Sequence, residues 1–522
     1  MPSRYYDAVI LGRSLGALAT AALLSRRDFR VLVLGQGQRP QTYRFEGKLL
    51  CRRPSTLLGA SSPAFRRVLQ ELAYSPQFRR RTQNLDPMFS VISEGRRVEV
   101  PPDMDLFARE VDREFPEVRQ LVDELYTTIA SVNAAADAAF ERDNVWPPAT
   151  LWERFETGRV SYSLPFVRND RANDLLEKFP RGHAFRDLLY VPAQFASNLS
   201  GPPDALPPFA LARLHGAWTR GIAALSQGEE ELVEIFTERI EAQGGVCNLN
   251  GRARSIVVRH GAAAGVIEDG EEEPTGAALL ISDQFGEALA DLSGGEGVSK
   301  AARRDWPRLT ADAGRFVVSV CARRKVLPEP LGSVAFILPS GATRRDPRRP
   351  VVRLEQFDPS LFPDARPTSR DEVTLVAEAI LPSRGALTLL EAREAVLQTL
   401  REALPFLDEH LVCVDSVHDG LPLYDYSSGA RREVDRIHLE GTAPSAEPME
   451  RLWSVSPMGY LDLAGEPLRG PIPNTYLVGK TVLPALGQEG ELIAAGSVAR
   501  IVTNRDRARQ RMRRQMWTKI ET

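Results

Sequence analysis

Residues 7–36 read DAVILGRSLGALATAALLSRRDFRVLVLGQ, and the strand–helix–strand unit encoded there decides the fold. Asp7–Leu11 is an apolar strand, and Gly12 opens a tight turn. Ala17–Ser25 is a helix of small residues, and Arg30–Leu34 is the returning parallel strand. Such a turn aims backbone N–H groups and a helix N-terminus at a pyrophosphate. The usual spacing is G-x-G-x-x-G, and its three positions are here Gly12, Ser14 and Ala17. Gly12 keeps the turn. Ser14 places a Cβ and a hydroxyl where phosphates approach bare backbone, although the hydroxyl can itself donate to phosphate. Alanine is an accepted variant at the third position. At the end of the second strand an acidic residue normally holds the ribose hydroxyls; this chain has Gly35 followed by Gln36.

Length and composition bound the rest. A chain of 522 residues exceeds one small core, so two or three interleaved domains are expected. Apolar and charged contents of 43% and 26% are those of a globular protein, and a net charge of −3 gives no nucleic-acid signal. Of the 66 basic residues only six are lysines, a skew read as coding bias. Cys51, Cys247, Cys321 and Cys413 are far apart and lack C-x-x-C spacing, which indicates neither a metal site nor a disulfide framework. The first strand begins almost at residue 1, leaving no room for a signal peptide, and the most apolar helix is too short to span a bilayer. A cytoplasmic protein is expected, with peripheral membrane contact left open.

A second landmark lies near the C-terminus. Pro471–Gly479 (PIPNTYLVG) is a turn and short buried strand, Lys480–Gly490 a loop, and Glu491–Val502 a helix of small residues. This arrangement also sets a helix N-terminus against an anionic or polar ligand. In the middle, Leu232–Ile240 is an amphipathic helix stopped by Gly244-Gly245. Strands follow at Val246–Leu249, Ser255–Arg259, Ala264–Glu268 and Ala277–Ser282.

These pieces, in this order, resemble the FAD-dependent amine oxidase and phytoene desaturase superfamily. The resemblance rests on residues 12–27, 220–258 and 471–496. It implies an α/β fold: a Rossmann-like FAD/NAD(P)-binding domain from residues 1–100, 205–290 and 455–504, and an α+β substrate domain from 101–204 and 291–454. Residues 505–522 form a basic tail. On the first unit, it places FAD against Gly12, Ser14, Leu15, Gly16, Ala17, Gly35, Gln36 and Arg39. Ile256 in the middle and Gly479 and Lys480 near the end complete the nucleotide side. Gly487, Gln488, Glu489 and Gly490 form the loop where the flavin ring would sit, with Gln488 and Glu489 the first polar groups to meet it. The implied chemistry is hydride transfer to or from an apolar substrate, isoprenoid or polyene-like.

Four positions depart from that pattern. Ser14 replaces the second glycine, and Gly35 replaces the ribose carboxylate. The G-G-R-type loop after the second strand survives only as Gly37 and Arg39. The usual Gly-Asp at the end of the C-terminal strand is Gly479-Lys480, a charge inversion. Together they indicate weak, altered or lost FAD binding. The alternative is therefore a cofactor-free relative that binds lipid or a protein partner, as the Rab GDP-dissociation inhibitors resemble this fold with its flavin site abandoned.

The substrate side shows mainly as pattern. Val118, Leu121, Val122, Leu125, Ile129 and Val132 share one helical face, which reads as core or as one wall of an apolar tunnel. Trp146, Trp152, Tyr162, Phe166, Tyr190 and Phe195 line the same space or pack in the core. Gly201–Pro208 (GPPDALPP) is a crossing between domains. Arg220-Gly221-Ile222 stands where the family has a G-G-M-like turn near the flavin, and also reads as a glycine helix cap. The six histidines are scattered, and no catalytic dyad or triad stands out. In the tail, Arg505, Arg507, Arg509, Arg511, Arg513, Arg514 and Lys519 interleave with Met512, Met516 and Trp517. That pattern suits an anionic membrane surface, an acidic partner or a solvated helix end.

Overall fold

The computed structural model describes residues 4–520 except 94, 166–174, 202–205, 226, 329–330, 341–345, 358–370 and 386; side chains are described as far as 507. β1 (Arg4–Leu11) lies between β2 (Val31–Leu34) and the strand Thr275–Ser282, parallel to both. Val246–Asn248 extends the parallel sheet beyond β2, and Thr475–Leu477 pairs with the far side of Thr275–Ser282. The antiparallel strands Ala253–Arg259 and Ala262–Glu268 complete seven strands. β2 and the inner half of β1 are fully buried, as expected where helices cover both faces of a parallel sheet.

α1 (Leu15–Arg26) follows β1 directly, capped by Ser14, whose Oγ accepts from the Ala17 N–H. Its small residues permit close packing. A Cβ on Gly16 would stand 2.1 Å from the Val478 carbonyl oxygen, so only glycine lets α1 meet the C-terminal strand. The C-terminal helix Gly487–Ile520 packs against α1.

The second sheet has ten strands around Arg308–Arg323, which pairs with Glu372–Pro382, Leu411–Asp415 and Glu450–Ser456. Phe89–Ser93 and Arg96–Val100, inside the expected 1–100 segment, pair in this sheet rather than the first. The helix Arg119–Phe140 buries Val122, Leu125, Ile129 and Val132, so the apolar stripe is core. Trp146, Tyr190 and Phe195 are buried too, whereas Trp152 and Tyr162 face solvent; Phe166 lies outside the described residues. Pro208 opens the helix Pro208–Thr219, and residues 202–205 of the expected crossing are likewise outside the described residues. Among the described residues no helix is long and apolar enough to cross a membrane, and no group of three or more His, Cys, Asp or Glu could hold a metal ion.

Candidate functional site

The register between β1 and Thr275–Ser282 sets the geometry of the dinucleotide seat. Leu11 pairs with Ser282, which brings the next residues, Gly12 and Asp283, together. A Cβ on Gly12 would stand 2.1 Å from the Asp283 carboxylate, and one on Gly479 1.9 Å from the Asp283 carbonyl oxygen. Both glycines make room for this one aspartate.

Asp283 then uses that room. Its carboxylate accepts the Ser14 backbone N–H at 2.9 Å and the Gln38 side-chain amide at 3.0 Å. Gln38 Oε1 accepts the Arg13 N–H at 3.1 Å, and Ser14 Oγ accepts that of Ala17 at 3.3 Å. The Gly16 N–H donates to Glu491 of the C-terminal helix at 3.4 Å. The N–H groups of Arg13, Ser14, Gly16 and Ala17, which a phosphate could use, thus already have acceptors within the chain, two of them carboxylates. A helix N-terminus attracts anions whatever their source.

The ribose end is closed in a similar way. A Cβ on Gly35 would lie 1.9 Å from the Leu249 carbonyl oxygen. Gln36, held at φ +54°, donates through its side-chain amide to the Ala253 carbonyl oxygen at 2.9 Å and accepts the Ala253 N–H at 3.0 Å. Ile256 lies buried on the same strand, paired with Val266. Arg39 sits elsewhere, exposed, donating to the Gly441 carbonyl oxygen. As folded, the residues present do not fit a dinucleotide at this seat.

The expected flavin loop is also engaged internally. Gln488 Oε1 accepts the N–H groups of Leu58 and Gly59 at 2.8 and 3.0 Å. Glu489 holds Arg213 through two contacts of 2.6 Å, both groups buried. Gly487 lies at φ +55° with the Ala196 carbonyl oxygen 2.1 Å from where a Cβ would be, and Gly490 similarly meets Leu483.

A chain of ion pairs crosses strands of the second sheet and ends at Lys480, which follows the strand Thr475–Leu477 of the first. Lys480 bonds Glu450 at 2.7 Å, and Arg315 reaches Glu450 at 3.4 Å and Glu378 at 3.1 Å. Arg353 then joins Glu378 to Glu355, whose carboxylate accepts the N–H groups of Ser55 and Thr56. Lys480 and Glu450 keep about a third of their side-chain surface open, yet desolvation is the largest single influence on both. Burial opposes both charges; the mutual attraction outweighs it, holding Glu450 down at about 2 and Lys480 above its usual value. Burial raises Asp283, and lifts Glu491 to about 7 against the pull of nearby Lys480.

Gly12, Ser14, Gly16, Ala17 and Gly479 lie together around Asp283 and Glu491, and Lys480 follows Gly479 and turns to Glu450. Leu15 is partly buried against the core beside them. Asp283, Glu491, Gln38 and Glu450 were not foreseen. The available signal was an acid directly after the strand that pairs with β1. Of the histidines, His215 is buried against the Tyr126 hydroxyl at 2.9 Å, and burial pushes it down to about 3, so it is a neutral packing group.

Residues 10–72 match the family model of the NAD(P)-binding Rossmann-like domain. No curated protein matches the chain by sequence. Among solved structures, an oxidoreductase from Methanosarcina mazei is similar at 16% identity and TM-score 0.56, over 95% of this chain and 99% of its own. A putrescine oxidase double mutant, from a redesign of cofactor binding, is similar at 15% identity and TM-score 0.56, over 96% of this chain and 99% of its own. A Rab GDI from Plasmodium falciparum is similar at 11% identity and TM-score 0.52, over 95% of this chain and 98% of its own. At such identities the likeness is one of fold. The chain carries an NAD(P)-binding Rossmann-like domain in the two-domain fold it shares with putrescine oxidase, the fold that its resemblance to the amine oxidase and phytoene desaturase superfamily implied.

Proposed function

We propose that this protein is a cofactor-free relative of the flavoprotein fold, acting by binding a lipid or a protein partner rather than by redox chemistry. One observation carries the reading: Asp283 and Glu491 occupy the α1 N-terminal amides, and Gln36 occupies the Ala253 backbone pair. A pyrophosphate there would have to expel two carboxylates and then stand beside them. The Rab GDI among the similar structures shows that the fold extends beyond the oxidoreductases.

A second reading keeps the flavin. It is favoured by Lys480, a partly exposed cation next to Gly479, and by the oxidoreductases that share the fold. With FAD bound, the group would supply hydride transfer to or from an apolar, isoprenoid or polyene-like substrate.

An absorption spectrum of the full chain separates the two, taken before and after excess FAD and removal of the unbound fraction. A folded, colourless protein is expected. Retained bands near ~370 and ~450 nm would overturn the cofactor-free reading.

A further inference from the structure

The helix Leu151–Ser161 segregates its charges in an unusual way. Thr150 and Glu153 form a capping box at its start. Its two further acid contacts turn toward the protein: Glu153 binds Arg469 at 2.6 Å, and Glu156 binds Arg500 of the C-terminal helix at 3.0 Å. Thr157, Val160 and Ser161 are buried on that side. The opposite side carries Leu151 (87% exposed), Trp152 (67%), Phe155 (57%) and, just past the helix, Tyr162 (72%). At the helical advance of about 100° per residue, these four and Arg159 fall within an arc of about 100°. Arg159 lies over the Phe155 ring, 5.9 Å from its centroid.

A single exposed apolar side chain needs no explanation; four large ones on one arc do. Tryptophan and tyrosine with an interleaved arginine is the composition of a helix lying in a membrane interface. The charge of the neighbouring element identifies the kind of surface. Trp152, Arg500 and Arg505 line one cleft of about 640 Å³, so this helix and the C-terminal helix share a face. From residue 505 to 519 the chain carries seven basic residues against one acid, Asp506. A basic run of that kind complements anionic headgroups.

We propose that the helix Leu151–Ser161, with the adjoining stretch of the C-terminal helix up to Arg507, forms a docking face for an anionic membrane surface. The aromatic arc enters the interface, and Arg159, Arg505 and Arg507 meet lipid phosphates. The face is separate from the dinucleotide seat and holds under either functional reading.

The test is flotation of the full chain with vesicles of phosphatidylcholine alone, or with about a third phosphatidylglycerol. Binding to the anionic vesicles only is expected, weakening as salt screens the charge. The double substitution Trp152→Ser, Phe155→Ser should lower binding at least about tenfold without changing the melting temperature, since both side chains are exposed. Brominated lipids should quench tryptophan emission on anionic vesicles, less so in Trp152→Phe. Equal binding to both vesicles, no binding, or a double variant that binds like wild type overturns the proposal. So does loss of self-association in the double variant with vesicle binding intact, which would assign the arc to a second copy of the chain.

Discussion

The Asp283 carboxylate rests on the Ser14 backbone N–H at 2.9 Å, although 269 residues separate the two in sequence. Strand register makes the contact: Leu11 opposite Ser282 leaves Gly12 and Asp283 as the next pair. An acid at that point is a built-in anion for the α1 N-terminus.

Removing the plugs should expose the amides. The double substitution Asp283→Gly, Glu491→Ala is expected to raise affinity for ADP or pyrophosphate at least about tenfold over wild type, read by calorimetry. Unchanged affinity would show that something other than these carboxylates closes the seat.

Glu491 makes stability pH-dependent. Its folded pKa of about 7 stands above the ordinary 4.5, so the folded state holds this proton more tightly than the unfolded state. Its contribution is full below about pH 4.5 and is lost as pH rises to about 7, a change of roughly 3 kcal/mol at most. Urea titrations between pH 5 and 8, at steps of about half a unit, should show a falling midpoint that flattens in Glu491→Gln. An equal slope in the variant counts against this assignment.

The Arg213–Glu489 pair is structural. Arg213→Met leaves a buried, unpaired Glu489 and should cost about 3–5 kcal/mol in a denaturant midpoint. Replacing both residues by leucine should recover part of that loss. If Arg213→Met left stability intact, the buried pair would not anchor the C-terminal helix.

Restoring the missing ribose carboxylate by Gly35→Glu should fail. A Cβ there meets the Leu249 carbonyl oxygen at 1.9 Å, so the variant should lose several kcal/mol and bind no nucleotide. A stable Gly35→Glu protein with new ribose affinity would show that the second strand can yield.

Much of the nucleotide domain was legible because its signals are local. The β1–α1–β2 unit, the helix at Glu229–Ala242 and the strands from Val246 to Ser282 all lie where apolar runs and glycine stops placed them, with ends moved by a few residues. The C-terminal helix began earlier, at Gly487, because the residues read as a loop form its first turn. What closes the site was not legible. Asp283 gains its meaning only from a cross-strand register, and Glu491 only from the approach of the C-terminal helix to α1. Gln488 and Glu489 read in sequence as polar groups in a glycine loop; that loop's close packing turns them inward.

The closure of the seat draws on three distant parts of the chain, around residues 14, 283 and 491. A change at any one leaves the other acceptors in place. Opening these amides to another anion would therefore need several substitutions at once, spread over three segments that meet only in the folded chain.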